Sequence, residues 1–80
     1  MSANGLKAYP NPLNEQNLVI KTNFDGISTI TISDITGKQA YAKVTAENET
    51  NVPRSVFYSG TYIISVTNDA VAQNIKLVVR

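Results

Sequence analysis

The chain is 80 residues long, enough for one small domain, and its seven basic and six acidic side chains give a formal net charge of +1. It contains neither cysteine nor histidine, which excludes disulfides, thiolate metal sites and the commonest catalytic base. The charges are scattered and no apolar run approaches the roughly 20 residues of a membrane span, so we expect neither a nucleic-acid partner nor a transmembrane segment.

The first seven residues, MSANGLK, show no strand or helix pattern. They also lack the charged start, apolar stretch and small-residue site of a secretory signal. We interpret residues 1–7 as a linker or cloning remnant and residues 8–80 as the domain. If the domain is exported, we expect the signal to belong to a longer precursor.

The next segment is YPNP, residues 9–12. A proline favours extended geometry in the residue before it, here Tyr9 and Asn11. Pro10 and Pro12 lack amide donors and so do not fit a central strand. The pattern predicts a straight edge piece or lead-in that is anchored on the core by Tyr9.

The remaining chain is rich in strand-forming residues. Ile, Val and Thr together supply 24 residues, whereas Leu supplies four and Met one, and β-branched side chains favour strands. No helix is predicted. The predicted strands, in chain order, carry Leu18 and Ile20, Ser28–Asp34, Gln39–Thr45, a short stretch around Val52, Thr61–Thr67 and residues 71–79. Turn signals recur every 8–12 residues, which is typical of sandwiches. The predicted fold is therefore all-β, a small immunoglobulin-like β-sandwich of about seven antiparallel strands.

The strands alternate between apolar and polar residues, which separates a core face from an outer face. The predicted core-facing residues are Ile30, Ile32, Tyr62, Ile64, Val66, Ile75, Leu77 and Val79. The sequence DITGK, residues 34–38, predicts a hairpin turn, because Asp34 can bond its own backbone and Gly37 accepts positive φ. Segments 23–26 and 46–59 are predicted as links, and the second, which contains Pro53, as a crossing between sheets.

Five stretches follow one another in a recognisable order: YPNP at 9–12, LVI at 18–20, DITGK at 34–38, SGTY at 59–62 and IKLVVR at 75–80. None is specific alone. Their order across residues 8–80 resembles the C-terminal sorting domain of type IX secretion cargo, the Por secretion system C-terminal domain of type A. The chain departs from the family pattern at FYSG, residues 57–60, where leucine is commoner than Phe57, and at Thr61, where an aliphatic residue is common.

The resemblance implies a non-catalytic sorting signal that directs an upstream cargo domain in the same chain. On this interpretation the cargo passes through the periplasm and across the outer membrane, and becomes secreted or bound to the cell surface. The implied partners are the type IX outer-membrane translocon and a sortase-like surface protease that removes the tail. No cofactor and no metal are implied.

The resemblance also suggests which residues the secretion machinery recognises. The candidates are Lys76, Leu77, Val78, Val79 and Arg80. A terminal strand offers backbone groups for strand addition, basic side chains and a free carboxylate. We expect Leu77 and Val79 to fill the core and the other three side chains to face outwards.

The other family-motif residues are more readily explained by structure than by recognition. They are Tyr9, Pro10, Asn11, Pro12, Asp34, Gly37, Lys38, Gly60 and Tyr62. Gly60 suits a turn conformation. Tyr62 is expected to fill the core with its hydroxyl near the rim.

Two other classes of function are the alternatives to a sorting signal. An adhesive or carbohydrate-binding sandwich needs exposed aromatic side chains, and Tyr41 and Tyr58 are the plausible pair. An enzyme is disfavoured because no histidine or cysteine is present to activate a nucleophile. The acidic residues never follow a calcium-loop spacing such as D-x-D-x-D-G.

Overall fold

In a computed structural model, which describes residues 6–23, 26–69 and 72–80, seven strands form two antiparallel sheets. The strands are β1 (Leu6–Tyr9), β2 (Leu18–Thr22), β3 (Ser28–Asp34), β4 (Gln39–Thr45), β5 (Glu49–Val52), β6 (Gly60–Thr67) and β7 (Ala72–Val79). The small sheet has the order β1-β2-β5, and the large sheet has the order β4-β3-β6-β7. The prediction of an all-β sandwich is confirmed. No helix in the described residues has the length and apolarity needed to cross a bilayer.

The core lies between the two sheets and follows from the alternation along each strand. In β3, Ile30 and Ile32 are buried, whereas Thr29 is exposed on the opposite face. The buried apolar residues are Leu13, Leu18, Ile20, Ile30, Ile32, Val52, Phe57, Tyr62, Ile64, Val66, Leu77 and Val79. Burying an aliphatic or aromatic side chain of this size stabilises the fold by about 1.5–3 kcal/mol. Ile75, predicted to face inwards, is partly buried against this cluster.

Strand bounds and the sheet crossing agree closely with the sequence pattern. β3 and β4 have the predicted bounds. Segment 46–59 leaves β4 in the large sheet, contributes β5 to the small sheet and returns to β6. Its unpredicted feature is one 3-10 turn, Arg54–Val56, which is too short to leave a periodic signal. Residues 24, 25 and 71, which fall in a predicted link and a predicted strand, lie outside the described residues.

The first strand begins earlier than the sequence suggested. Leu6 pairs with Thr22, and Lys7 pairs with Lys21, although both Leu6 and Lys7 fall within the segment interpreted as linker. Leu6 packs against the core, which gives the strand an apolar contact at its start. The rest of that segment, residues 1–5, lies outside the described residues.

The prediction that Tyr9 anchors the lead-in on the core is wrong. Its side chain is 41% exposed, whereas Leu13 is fully buried. In β1 the core-facing positions are Leu6 and Ala8, and the two-residue alternation of a strand then places Tyr9 on the outer face. The anchor of the lead-in is therefore Leu13, four residues later.

The expected straight course of this segment is also wrong. Residues 10–12 form bends between β1 and Leu13. The Tyr9–Pro10 and Asn11–Pro12 peptide bonds are both cis. β1 is nonetheless an edge strand of the small sheet, as the prolines that follow it indicated.

Candidate functional site

Motifs that are far apart in the sequence meet at one end of the sandwich. Asp34, at the end of β3, pairs with Tyr62 in β6. Tyr62 pairs in turn with Leu77, and Gly60 pairs with Val79 near the end of β7. We call this region, formed by the turn 34–38, the loop 53–59, the start of β6 and the end of β7, the motif end.

The hairpin turn is organised by the carboxylate of Asp34. Its Oδ1 accepts hydrogen bonds from the Thr36 hydroxyl at 2.6 Å, the Thr36 amide at 2.9 Å and the Lys38 amide at 3.0 Å. These donors, the Thr36 hydroxyl foremost, hold the pKa of Asp34 below its ordinary value. Gly37 has φ +93°, a conformation that glycine adopts without steric cost. The Asp34 carboxylate therefore stabilises the turn itself by accepting hydrogen bonds from within it.

The start of β6 is held by a pair of aromatic rings. Tyr62 is buried, and its ring meets that of Phe57 edge-on, with the centroids 5.1 Å apart. Its hydroxyl accepts a hydrogen bond from the Tyr58 amide at 3.0 Å. Gly60 has φ +147°, which other residues rarely adopt. These contacts give Gly60 and Tyr62 a structural role in shaping the loop before β6.

The backbone of the terminal strand is already hydrogen-bonded by residues 11–13, which we call the strap. Asn11 donates from Nδ2 to the Lys76 carbonyl at 2.9 Å and accepts from the Val78 amide at 3.2 Å. Leu13 donates to the Val78 carbonyl at 2.7 Å and accepts from the Arg80 amide at 2.8 Å. The edge that we expected to be open for strand addition is therefore covered within the chain itself.

The side chains of the terminal residues divide as expected. Leu77 and Val79 are buried, Val78 is half-buried, and Lys76 and Arg80 are exposed. In the folded domain, residues 76–80 can therefore present to a partner only the side chains of Lys76, Val78 and Arg80. The side chains of Leu77 and Val79 are buried, and four backbone groups of this segment are already hydrogen-bonded to the strap.

Arg54 joins the terminal residue Arg80 to segment 14–17 and to its own loop, a role that the sequence did not indicate. Its Nε donates to the Asn14 carbonyl, its Nη1 to the Phe57 carbonyl at 2.8 Å and its Nη2 to an Arg80 main-chain oxygen at 2.9 Å. Its amide donates to Asn17 Oδ1 at 3.0 Å. The planar guanidinium suits several acceptors at once. No carboxylate spacing in the sequence signals this role, because the guanidinium donates to main-chain oxygens.

The aromatic pair proposed for sugar binding is not a matched platform. Tyr41 lies opposite core-facing Ile32 and packs against the core. Tyr58 is 85% exposed. A depression of about 170 Å³ beside Tyr58 is lined by residues of the motif end and by the start of β4, but not by Tyr41. Of the two rings, only that of Tyr58 is exposed enough to contact a sugar.

The other surface features carry less chemistry. A larger depression of about 650 Å³ at the opposite end, lined by Gly26, Ile27, Thr29, Thr67, Asn68 and Asp69, contains no family-motif residue. Within the described part of the chain, no three acidic side chains lie close enough together to hold a metal ion. On the outer face of the small sheet, the Tyr9 hydroxyl and the Glu49 carboxylate raise the pKa of Lys21, whose Nζ lies 3.5 Å from Glu49.

Comparison with known proteins identifies one matching family. The family model described as "Secretion system C-terminal sorting domain" matches residues 7–80. No curated protein matches the chain. Among solved structures, the chain is similar to part of PorZ from Porphyromonas gingivalis, with a TM-score of 0.80 and 22% sequence identity. PorZ is described as an essential bacterial surface component of the type IX secretion system.

The match to PorZ covers 95% of this chain but only 11% of PorZ. The chain therefore spans a small part of the length of that protein. At this level of identity the likeness shows a shared fold, the two-sheet sandwich described above.

Proposed function

The chain belongs to the family of secretion system C-terminal sorting domains, the sorting domains of type IX secretion, and from this premise we propose that it is a non-catalytic signal for an upstream cargo. The observation that carries the proposal is the family match, which extends over residues 7–80. The structure supports it by bringing the motif residues of the turn 34–38 and of the start of β6 together with the terminal segment at one end.

The partners follow from this role. The outer-membrane translocon of the type IX system recognises the folded domain, and the cargo joined to it in the same chain crosses from the periplasm to the outside. A sortase-like surface protease then removes the domain and leaves the cargo secreted or at the cell surface.

The contact residues we propose are the outward side chains of the terminal segment, Lys76, Val78 and Arg80. Leu77 and Val79 contribute by holding the strand in the core, because both are buried. Since the strap and Arg54 bind the main chain of the same segment, these side chains are presented in a defined position. Preorganisation of this kind lowers the entropy cost of binding.

The proposal is tested by fusing residues 1–80 behind a periplasm-directed reporter in a bacterium that has the type IX system. The reporter is expected outside the cell or on its surface. The matched control is the same fusion in a strain without the translocon, where the reporter should remain in the periplasm. A reporter retained in the periplasm of the competent strain, with a folded tail attached, contradicts the proposal.

A further inference from the structure

Leu13 pairs with the terminal strand in the way that one residue of a parallel strand would. It forms a parallel bridge with Val79. Its amide donates to the Val78 carbonyl and its carbonyl accepts from the Arg80 amide, so it bonds the two neighbours of Val79, as in a parallel ladder. The pairs between the seven named strands are all antiparallel. The bridge is therefore a separate addition to the edge of β7.

The side-chain amide of Asn11 repeats that pattern two residues earlier. Its Nδ2 donates to the Lys76 carbonyl at 2.9 Å, and its Oδ1 accepts from the Val78 amide at 3.2 Å. It thus bonds the two neighbours of Leu77, although the main chain of residues 10–12 forms bends. An asparagine side chain carries an N–H donor and a carbonyl acceptor on one amide group, as a peptide does. The carboxamide therefore takes the place of a peptide group at the edge of β7.

The last residue of the terminal segment depends on such contacts more than the strand does. The pairing of β6 with β7 ends at Gly60 and Val79, so Arg80 lies beyond that ladder. The Arg80 amide donates to the Leu13 carbonyl, and its main-chain oxygen accepts from Arg54. The side chain of Arg80 is exposed. The strap and Arg54 therefore set the position from which this side chain projects.

These contacts join the entry of the domain to the terminal segment. The strap follows β1, which is paired along its length with β2, and Leu13 is fully buried. Asn11 and Lys76 are 65 residues apart in the sequence, so the bond between them forms only when segments from both ends of the domain have docked. The geometry of the terminal segment thus depends on the docking of the entry.

We propose that the strap makes recognition of the terminal segment conditional on the docking of the domain entry, with Asn11 as a positioning residue. When the strap is docked, the outward side chains of Lys76, Val78 and Arg80 are held in the arrangement that the secretion machinery binds. When the strap is released, these side chains lose that arrangement, and the cost of ordering them lowers the affinity. This inference rests on the proposed sorting function and adds a folding requirement to it.

The test uses the reporter fusion with Asn11→Ala, which removes both side-chain bonds and leaves the main-chain bonds of the strap in place. The matched control is Ser65→Ala, which removes the bond of 2.7 Å from the Ser65 hydroxyl to Asn74, on β7 outside the terminal segment. Exchange at the Val78 amide should accelerate only in Asn11→Ala. Ordering one side chain changes affinity about twofold to tenfold, so Asn11→Ala should lower the exported fraction at least about twofold. Ser65→Ala should be exported like the parent.

A second control covers a larger loss of stability. Tyr62→Phe removes the hydroxyl that accepts from the Tyr58 amide, a part-buried bond that does not involve the terminal segment. Urea unfolding of the purified variants ranks their stabilities. Export should follow the exchange rate at Val78 and not this ranking, so Tyr62→Phe should be exported like the parent.

A double-variant experiment separates positioning from a general loss of stability. Residues that act through one another show non-additive effects, whereas independent effects add. With Lys76→Ala, one of the side chains to be positioned is already absent, so Asn11→Ala should lower export by a smaller factor than in the parent. The same factor in both backgrounds would show that Asn11 does not act through this side chain, and would overturn the positioning role.

The outcomes separate this inference from the function on which it rests. If the parent fusion stays in the periplasm, the proposed function fails, and the inference fails with it. If the parent is exported and Asn11→Ala is exported equally well while exchange at Val78 accelerates, the coupling is overturned and the sorting role stands. Equal losses of export in Asn11→Ala and in the two controls overturn it too, because stability then explains them.

Discussion

The two edges of the large sheet are protected in different ways. β7 is covered along residues 76–80 by the strap, and Arg54 binds an Arg80 main-chain oxygen. β4, at the other edge, is exposed at most positions. It carries Lys43 and has an extra residue, Ala40, where its pairing with β3 shifts register between Ile32 and Ser33. A charge and a bulge both discourage unwanted strand pairing.

This difference explains what the YPNP motif does in the fold. Its asparagine supplies both a donor and an acceptor to β7, and the leucine that follows it is buried in the core. The motif is therefore a cover for the terminal strand, and it links the two ends of the domain sequence in space.

The largest expected effect comes from emptying the core contact of the strap. Leu13→Ala removes a fully buried side chain and should lower the free energy of unfolding by about 2–5 kcal/mol, measured by urea denaturation. The matched change on the open edge, Val44→Ala, should cost less than about 0.5 kcal/mol. Equal losses for the two variants would show that the strap adds nothing to stability.

The next effect concerns the Arg54 guanidinium, which donates to three main-chain oxygens. Arg54→Ala should lower the free energy of unfolding by about 2–3 kcal/mol, because hydrogen bonds from charged donors are lost. Arg54→Lys should recover only part of this, since an ammonium lacks the planar fork. Full recovery by lysine in the same denaturation experiment would argue against the multiple-acceptor geometry.

A smaller effect is expected when only the side-chain bonds of the strap are removed. Asn11→Ala should cost about 1 kcal/mol. Hydrogen exchange at the Val78 amide should accelerate, because that amide donates to Asn11 Oδ1. Asn11→Asp keeps the acceptor, so the Val78 amide should stay protected. Unchanged exchange at Val78 in the alanine variant would show that the strap does not protect the edge.

On the β4 side, acid should weaken the turn that begins this edge strand. Because the folded pKa of Asp34 lies below its ordinary value of about 3.8, its stabilising contribution is present above pH 3.8. It is lost as the pH falls below 3.8 through the lower folded pKa. Urea midpoints between pH 5 and 2, a range chosen to span this window, should fall more steeply for the parent than for Asp34→Asn. Parallel curves would contradict this assignment.

The smallest effect on stability is expected from reversing one exposed charge on each edge. Lys76→Glu and Lys43→Glu should each change the free energy of unfolding by less than about 0.5 kcal/mol. In the reporter assay, only Lys76→Glu should reduce export, because Lys76 belongs to the proposed contact segment. Equal export of both variants would remove Lys76 from the contact.

Part of the candidate site could be predicted because it depends on local chemistry. The Asp34 turn follows from a carboxylate three residues before a glycine, and the division of Leu77 and Val79 from Lys76 follows from strand alternation. Arg54 gives no comparable signal, since its three main-chain acceptors can belong to any residue type. The prediction for Tyr9 is wrong because Leu6 and Ala8 occupy the core-facing positions of β1, and strand alternation then turns Tyr9 outwards.

By itself, the sequence determined the all-β sandwich, the core faces of β3, β6 and β7, and the family. Strand faces follow from alternation every two residues, and strand ends follow from local turn residues. Both can therefore be predicted without knowledge of distant contacts. Only the tertiary structure decided that Asn11 binds Lys76 and Val78, which lie 65 and 67 residues away. It also decided that Tyr58 remains outside while Phe57 enters the core. The physical reason is that hydrogen-bond partners and ring exposure depend on which distant segments pack together. Local sequence patterns do not specify that packing.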